Sequence, residues 1–181
     1  LFLGFAESVS DFDRLEEEHD NILAGADWAF AFQDGSLVKR YAWAMDSCLG
    51  TRGHWTDRKK LLDQALTATQ NLEDKKGVSS SLLQLGILAQ LTGDYAEARR
   101  MYQESLKILQ ELGDKSGLAI SLAQLALLEE KEGNLKKALE LIKKAESIFL
   151  ELNSPMAAQA RRDRERLEKS QGNSWLGRIF K

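Results

Sequence analysis

The sequence predicts an all-α chain, a solenoid of antiparallel helix pairs wound as a right-handed alpha-alpha superhelix, and three observations predict it. Proline occurs once, at Pro155, and the 13 glycines fall mostly between long segments. Those segments carry apolar residues at three and four spacing, the period of one helix face, and none has the alternation of a convincing strand. Displacing the sequence by 40 residues aligns Leu82, Leu85 and Gly86 with Leu122, Leu125 and Ala126, Gly93 with Gly133, Ala98 with Ala138, and Leu112 with Leu152. One period upstream, Gly53 stands opposite Gly93, Trp55 opposite Tyr95, Leu62 opposite Tyr102, Ala65 opposite Ser105, and Leu72 opposite Leu112. A fixed period of this length marks stacked supersecondary units.

Taken in order, residues 1–35 are expected to form an N-terminal helical leader and 36–154 three 40-residue units. The first helix of each unit runs to Gly53, Gly93 or Gly133, where glycine takes the left-handed conformation at little cost. Asp94 and Asn134 follow as N-caps of the second helix, Asp94 and Glu97 at capping-box spacing, with His54 or Thr56 in that place in the first unit. The second helix carries small residues, Ala98 and Ala138, then Ala65, Ser105 and Ala145, beside larger ones such as Tyr102 and Ile142. Small positions let two backbones approach. Polar links, 73–77, 113–117 and 153–155, lead to the next unit. Residues 155–171 keep a narrow apolar stripe through Met156, Ala160 and Leu167 and are otherwise charged, which suits a helix capping an array whose last face must be covered. The tail, 172–181, holds Trp175, Leu176, Ile179 and Phe180 with two cations. It has three readings, namely a disordered end, weak membrane contact, or packing on this or another copy of the array; packing against protein is favoured slightly over disorder, and it leaves open self-association through Trp175–Phe180.

Composition excludes several function classes. With 25 Lys and Arg against 28 Asp and Glu, the net charge of -3 does not suit a nucleic-acid binder driven by bulk electrostatics. One cysteine, Cys48, forms no internal disulfide, and two histidines argue against multi-His or Cys/His metal sites, so neither metal nor cofactor is expected. Apolar runs fall far short of the roughly 20 residues that cross a bilayer, and the start lacks the basic region of a signal peptide. A cytoplasmic chain without stable membrane insertion is expected, and its start at Leu1 leaves open a longer parent protein.

Leu82, Leu85, Gly86, Ala89, Gly93, Tyr95, Ala98, Tyr102 and Ser105 form the best copy of a motif that resembles the tetratricopeptide repeat, Leu-x-x-Leu-Gly on the first helix and a spaced Ala, aromatic, Ala series on the second. The resemblance covers about residues 36–154. The period exceeds the usual 34, and the proline that commonly ends each unit appears once. The longer form is similar to repeats in kinesin light chains, in polarity scaffolds and in the C-terminal sensor arms of bacterial signal-transducing P-loop ATPases. Residues 18–28, from Glu18 through Asp20, Asn21 and Ala24 to Trp28, look like the helix that opens the repeats of those ATPases and related bacterial activators, and 52–55 like a turn from them.

The resemblance implies a ligand-facing set on the first helix of each unit. Aligned on Gly86, it comprises Ser80, Leu83, Gln84, Ile87 and Gln90 in the second unit and Ile120, Ala123, Gln124, Leu127 and Glu130 in the third. In the first it comprises Arg40, Trp43 and Ser47, with Ala44 and Gly50. The set lacks the Lys, Asn and Arg residues with which chaperone-binding relatives clamp a carboxylate. Its apolar members suit a helix or extended peptide, and its glutamines can bond backbone amides; the alternative is packing against the next unit or plain exposure to water.

Other candidates favour structural readings. His19 and His54 lie beside acids but near no placed nucleophile, so no catalytic residue and no enzyme is expected. Cys48 sits in an apolar helical segment as a buried thiol. Lys115 and Ser116 lack the spacing of a phosphate loop. Arg161, Arg162, Arg164 and Arg166 alternate with Asp163, Glu165 and Glu168, which suits a paired, solvated face better than RNA or DNA. Most of Trp28, Trp43, Tyr102 and Phe149 are expected in the core. What remains is a non-catalytic scaffold for a protein or peptide, the alternative being the sensor arm of a signal-transducing ATPase.

Overall fold

A computed structural model describes Gly4 and residues 12–179, with side chains from 13 to 171. The described residues form nine helices and no strand: α1 (Phe12–Glu17), α2 (His19–Ala31), α3 (Gly35–Arg52), α4 (Trp55–Asn71), α5 (Lys75–Thr92), α6 (Tyr95–Leu112), α7 (Lys115–Lys131), α8 (Leu135–Glu151) and α9 (Met156–Ile179). From α3 to α8 each helix has 17 or 18 residues, joined by very short links. Long helices account for the long period.

The turns repeat with the same spacing. Gly53, Gly93 and Gly133 have φ of 79°, 89° and 82°, left-handed as expected. A second series at the other end of each hairpin comprises Gln33, Glu73, Gly113 and Asn153, at φ of 58°, 53°, 66° and 50°, so three of its four members hold this conformation with a side chain present. The residue after each of the first three, Asp34, Asp74 or Asp114, caps the next helix by accepting a backbone N–H from Leu37, Gly77 or Gly117 at 3.0, 2.9 and 2.9 Å, each such cap contributing about 1 kcal/mol. Asp94 caps α6 by accepting from the Glu97 N–H at 3.1 Å, but its own N–H bonds the Ala89 carbonyl and the Glu97 carboxylate holds Arg100, so one half of the expected box forms. Asn134 and His54 stand at N-cap positions without a capping side-chain bond, each turned to an acid outside its own helix, Glu129 and Glu16 respectively.

The chain divides into two compact units, residues 1–88 and 89–181. In the first, α3 pairs with α4, and α2 packs against both. Leu15, Ile22, Ala26 and Ala29 from the leader join Val38, Tyr41, Met45, Cys48 and Leu49 of α3 and Leu61, Ala65 and Ala68 of α4 in one core. Gly77 is needed for close approach, since a Cβ there would lie 2.5 Å from Thr69 Cγ2.

In the second unit α6, α7, α8 and α9 pack in sequence order. Ala138 and Ala145, with no exposed surface, sit beside Ile142 and Phe149 and against Ala119, Ala126, Ala157, Ala160 and Leu167. Small residues thus mark close helix contacts, and α9 covers the last hairpin with the predicted stripe through Ala160 and Leu167; Met156 remains exposed. Tyr102 and Phe149 are core residues as expected, whereas Trp28 and Trp43 are exposed. Trp28 lies on the outer face of α2, its ring 4.6 Å from that of Phe32. Apolar spacing in sequence did not distinguish that face from the inner one. The apolar side chains of the tail lie outside the described residues. Among the described residues no helix is long and apolar enough to cross a membrane.

Candidate functional site

The ligand-facing set falls on α3, α5 and α7, the first helices of the three hairpins. On α3, Arg40, Trp43 and Ser47 are exposed. Ser80, Leu83, Gln84 and Ile87 on α5 are half-buried, because Ser81, Leu82, Leu85 and Leu88 turn the other faces of that helix inward. Gln84 is held in place: its Oε1 accepts from Arg58 Nη2 at 3.4 Å, while Arg58 Nε and Nη2 bond the two Asp46 oxygens at 2.7 and 3.0 Å. Such a two-point guanidinium–carboxylate bond fixes orientation as well as charge.

On α7, Ile120, Ala123, Gln124, Leu127 and Glu130 are half-buried. Ile120 and Ala123 rest on the core cluster of the second unit, so part of each is already used in packing. Arg166 of α9 bonds the Glu130 carboxylate. Gln90 is different. It is 9% exposed, and its Oε1 accepts the buried Tyr102 hydroxyl at 3.0 Å, so its amide serves the interior; burial pushes the Tyr102 phenol up.

Sequence reasoning singled out Glu130 and passed over its neighbour. Glu129 has no exposed surface and is bonded by Arg99, by Lys137 Nζ at 2.6 Å and by Asn134 Nδ2 at 2.8 Å. Burial by itself would raise its pKa, yet the hydrogen bonds from Arg99, Lys137 and Asn134 and the charge of Arg99 hold the carboxyl at about 2. These partners come from α6, α8 and the link before α8, so only the fold brings them together. Arg164 bonds Glu146 at 2.7 Å and Glu168 at 2.8 Å, and Arg161 bonds Glu146 at 3.3 Å, giving the basic helix acidic partners.

Cys48 is 1% exposed, and burial pushes its thiol up, away from the thiolate that nucleophilic chemistry uses. The two histidines come together in the first unit beside Asp57, and this is a group whose ligand atoms lie close enough for a metal ion among the described residues.

The tetratricopeptide repeat model matches residues 55–111 and 77–151. No curated protein matches the chain. BtubC (BKLC) from P. vanneervenii is a similar solved structure, with a TM-score of 0.75 and 19% identity over 90% of this chain and 68% of that one. Kinesin-light-chain-type, nearly identical TPR-like repeats from Podosopora anserina superpose with a TM-score of 0.57 at 13% identity, covering 94% of this chain and 93% of that one. At these identities the likeness shows the fold. The family match spans more than half of the chain and coincides with the hairpins from α4 to α8, so this chain belongs to the tetratricopeptide-repeat family.

Proposed function

We propose that the chain is a non-catalytic scaffold that binds a protein or peptide through the first-helix faces of its hairpins. The observation that carries this reading is the half-burial of Leu83 and Ile87 on α5 and of Ile120 and Leu127 on α7. Apolar side chains carried on a folded helix and still partly open to solvent gain further burial from a partner without reordering of the backbone. Gln84 and Gln124 beside them supply amide donors and acceptors that extended or helical backbone can use. Membership of a repeat family that typically mediates protein interactions supports the same reading. The sensor-arm alternative rests on the leader resemblance, and α2 packing into the core of the first hairpin suits it equally.

The test is a photo-crosslinking amino acid placed at Leu83 or Ile120, and at Leu150 on α8 as the comparison, since Leu150 is an exposed apolar residue of a second helix. Covalent partners gathered at Leu83 and Ile120 and not at Leu150 are expected. Partners gathered at Leu150 alone overturn the assignment of the face.

A further inference from the structure

His19 opens α2, and His54 stands in the link before α4, where Asp57 occupies the first turn. The imidazoles stack with centroids 4.7 Å apart and planes at 29°. Each ring has one nitrogen bound to a carboxylate outside the pair, His19 Nδ1 to Asp20 Oδ1 at 2.9 Å and His54 Nε2 to Glu16 Oε1 at 2.8 Å. A carboxylate only accepts, so those two nitrogens carry the protons. In the neutral rings the remaining nitrogens, His19 Nε2 and His54 Nδ1, then present lone pairs, and both face the same oxygen, Asp57 Oδ2, at 3.4 and 4.0 Å. His19 Nε2 is buried and has no hydrogen-bond partner. Three electron pairs, two from nitrogen and one from an anionic oxygen, thus face one another, with the ligand atoms all within 4.8 Å.

We propose that His19, His54 and Asp57 bind a divalent transition-metal ion of the zinc type, with Glu16 and Asp20 orienting the two rings. Zinc bonds to nitrogen and carboxylate oxygen are about 2.0–2.2 Å, which puts neighbouring tetrahedral ligands roughly 3.3–3.5 Å apart, close to the separation already held by His19 Nε2 and Asp57 Oδ2. His54 reaches the same point by turning its ring out of the stack. The Glu16 and Asp20 bonds are the outer carboxylates that fix the tautomer of a metal-binding histidine. His54 and Asp57 keep about a third of their side-chain surface open, 30% and 33%, leaving a fourth position for water. The ligands come from α2, the link after α3, and α4, with Glu16 from α1, so the ion would tie the leader to the first hairpin within one unit.

The test uses the full chain without an affinity tag at pH 7.5, titrated with Zn2+ against a chromophoric chelator and, separately, with Co2+ to read the visible absorption of a four-coordinate site. One Zn2+ per chain is expected, with a melting temperature raised by the ion. Asp57→Asn and the pair His19→Gln with His54→Gln should lose that site, and Glu16→Gln should weaken it by about 10–100-fold. Asp57 is partly exposed, so its variant keeps the test usable if the double histidine variant fails to fold. Absence of Zn2+ binding by the unaltered chain up to about millimolar metal, or unchanged affinity and melting shift in Asp57→Asn, overturns the proposal.

Discussion

Arg99 of α6 bonds the carboxylate of Glu129, a residue of α7 with no exposed surface, and so fixes a charge inside the second unit. The pair has a direct consequence for acid stability. The Glu129 carboxyl is depressed from 4.5 to about 2 in the folded chain, so its contribution is fully present above pH 4.5 and is lost as pH falls from there towards 2. At about 1.4 kcal/mol per unit, the depression corresponds to on the order of 3 kcal/mol. Denaturant unfolding of the native chain should weaken over this window, and Glu129→Gln should flatten that part of the profile while lowering stability at pH 7. An identical acid limb in the variant would contradict this account of the site.

Arg58 and Asp46 form a second inward-facing pair, with Arg58 6% exposed and bonded at two points. Removing one partner leaves the other charged and largely out of water. Asp46→Ala should cost about 2–4 kcal/mol, measurable by urea unfolding. The same substitution at Asp63, whose bond to Lys59 lies at the surface, should cost less than about 1 kcal/mol. Equal losses at the two positions would mean that Arg58 does not depend on its partner.

The left-handed series at 33, 73, 113 and 153 uses glycine once. A side chain in this conformation costs roughly 1–2 kcal/mol, offset in part by the greater freedom of glycine in the unfolded chain. Glu73→Gly should therefore raise stability by about 0.5–1 kcal/mol, and Gly113→Ala should lower it by about 1 kcal/mol or more. Thermal melts of the two variants moving in the same direction would contradict the assignment of these turns.

Much of the fold was legible because its signals are local. Gly53, Gly93 and Gly133 recur at one spacing, each reports a backbone conformation that few other residues accept, and the small residues Ala98, Ala138 and Ala145 report contacts repeated in each hairpin. The second turn series was harder to read, since Gln33, Glu73 and Asn153 adopt the left-handed conformation without the residue that announces it. The polar interior was not legible. Glu129 resembles any surface glutamate of a charged helix until Arg99, 30 residues away, and Lys137 are placed around it. His19 and His54 likewise read as isolated helix-start residues until α2 folds onto the first hairpin. Trp28 failed in the opposite sense, because the apolar residues spaced around it, Ala24, Ala31 and Phe32, are exposed with it, while Ile22, Ala26 and Ala29 form the inner face of α2.

The first-helix faces themselves are the least determined by pattern. Half-buried leucines such as Leu83 and Leu127 keep part of their surface open, and periodicity does not record how much. The most direct measurement selects peptides from a random library on the intact chain and compares their affinity for the unaltered chain and for Leu83→Glu with Leu127→Glu, with helicity followed by circular dichroism. A half-buried leucine covered by a partner gains about half of the roughly 1.5–3 kcal/mol of full burial, so a loss of at least about 10-fold with helicity retained is expected. Unchanged affinity in a fully helical variant would contradict it.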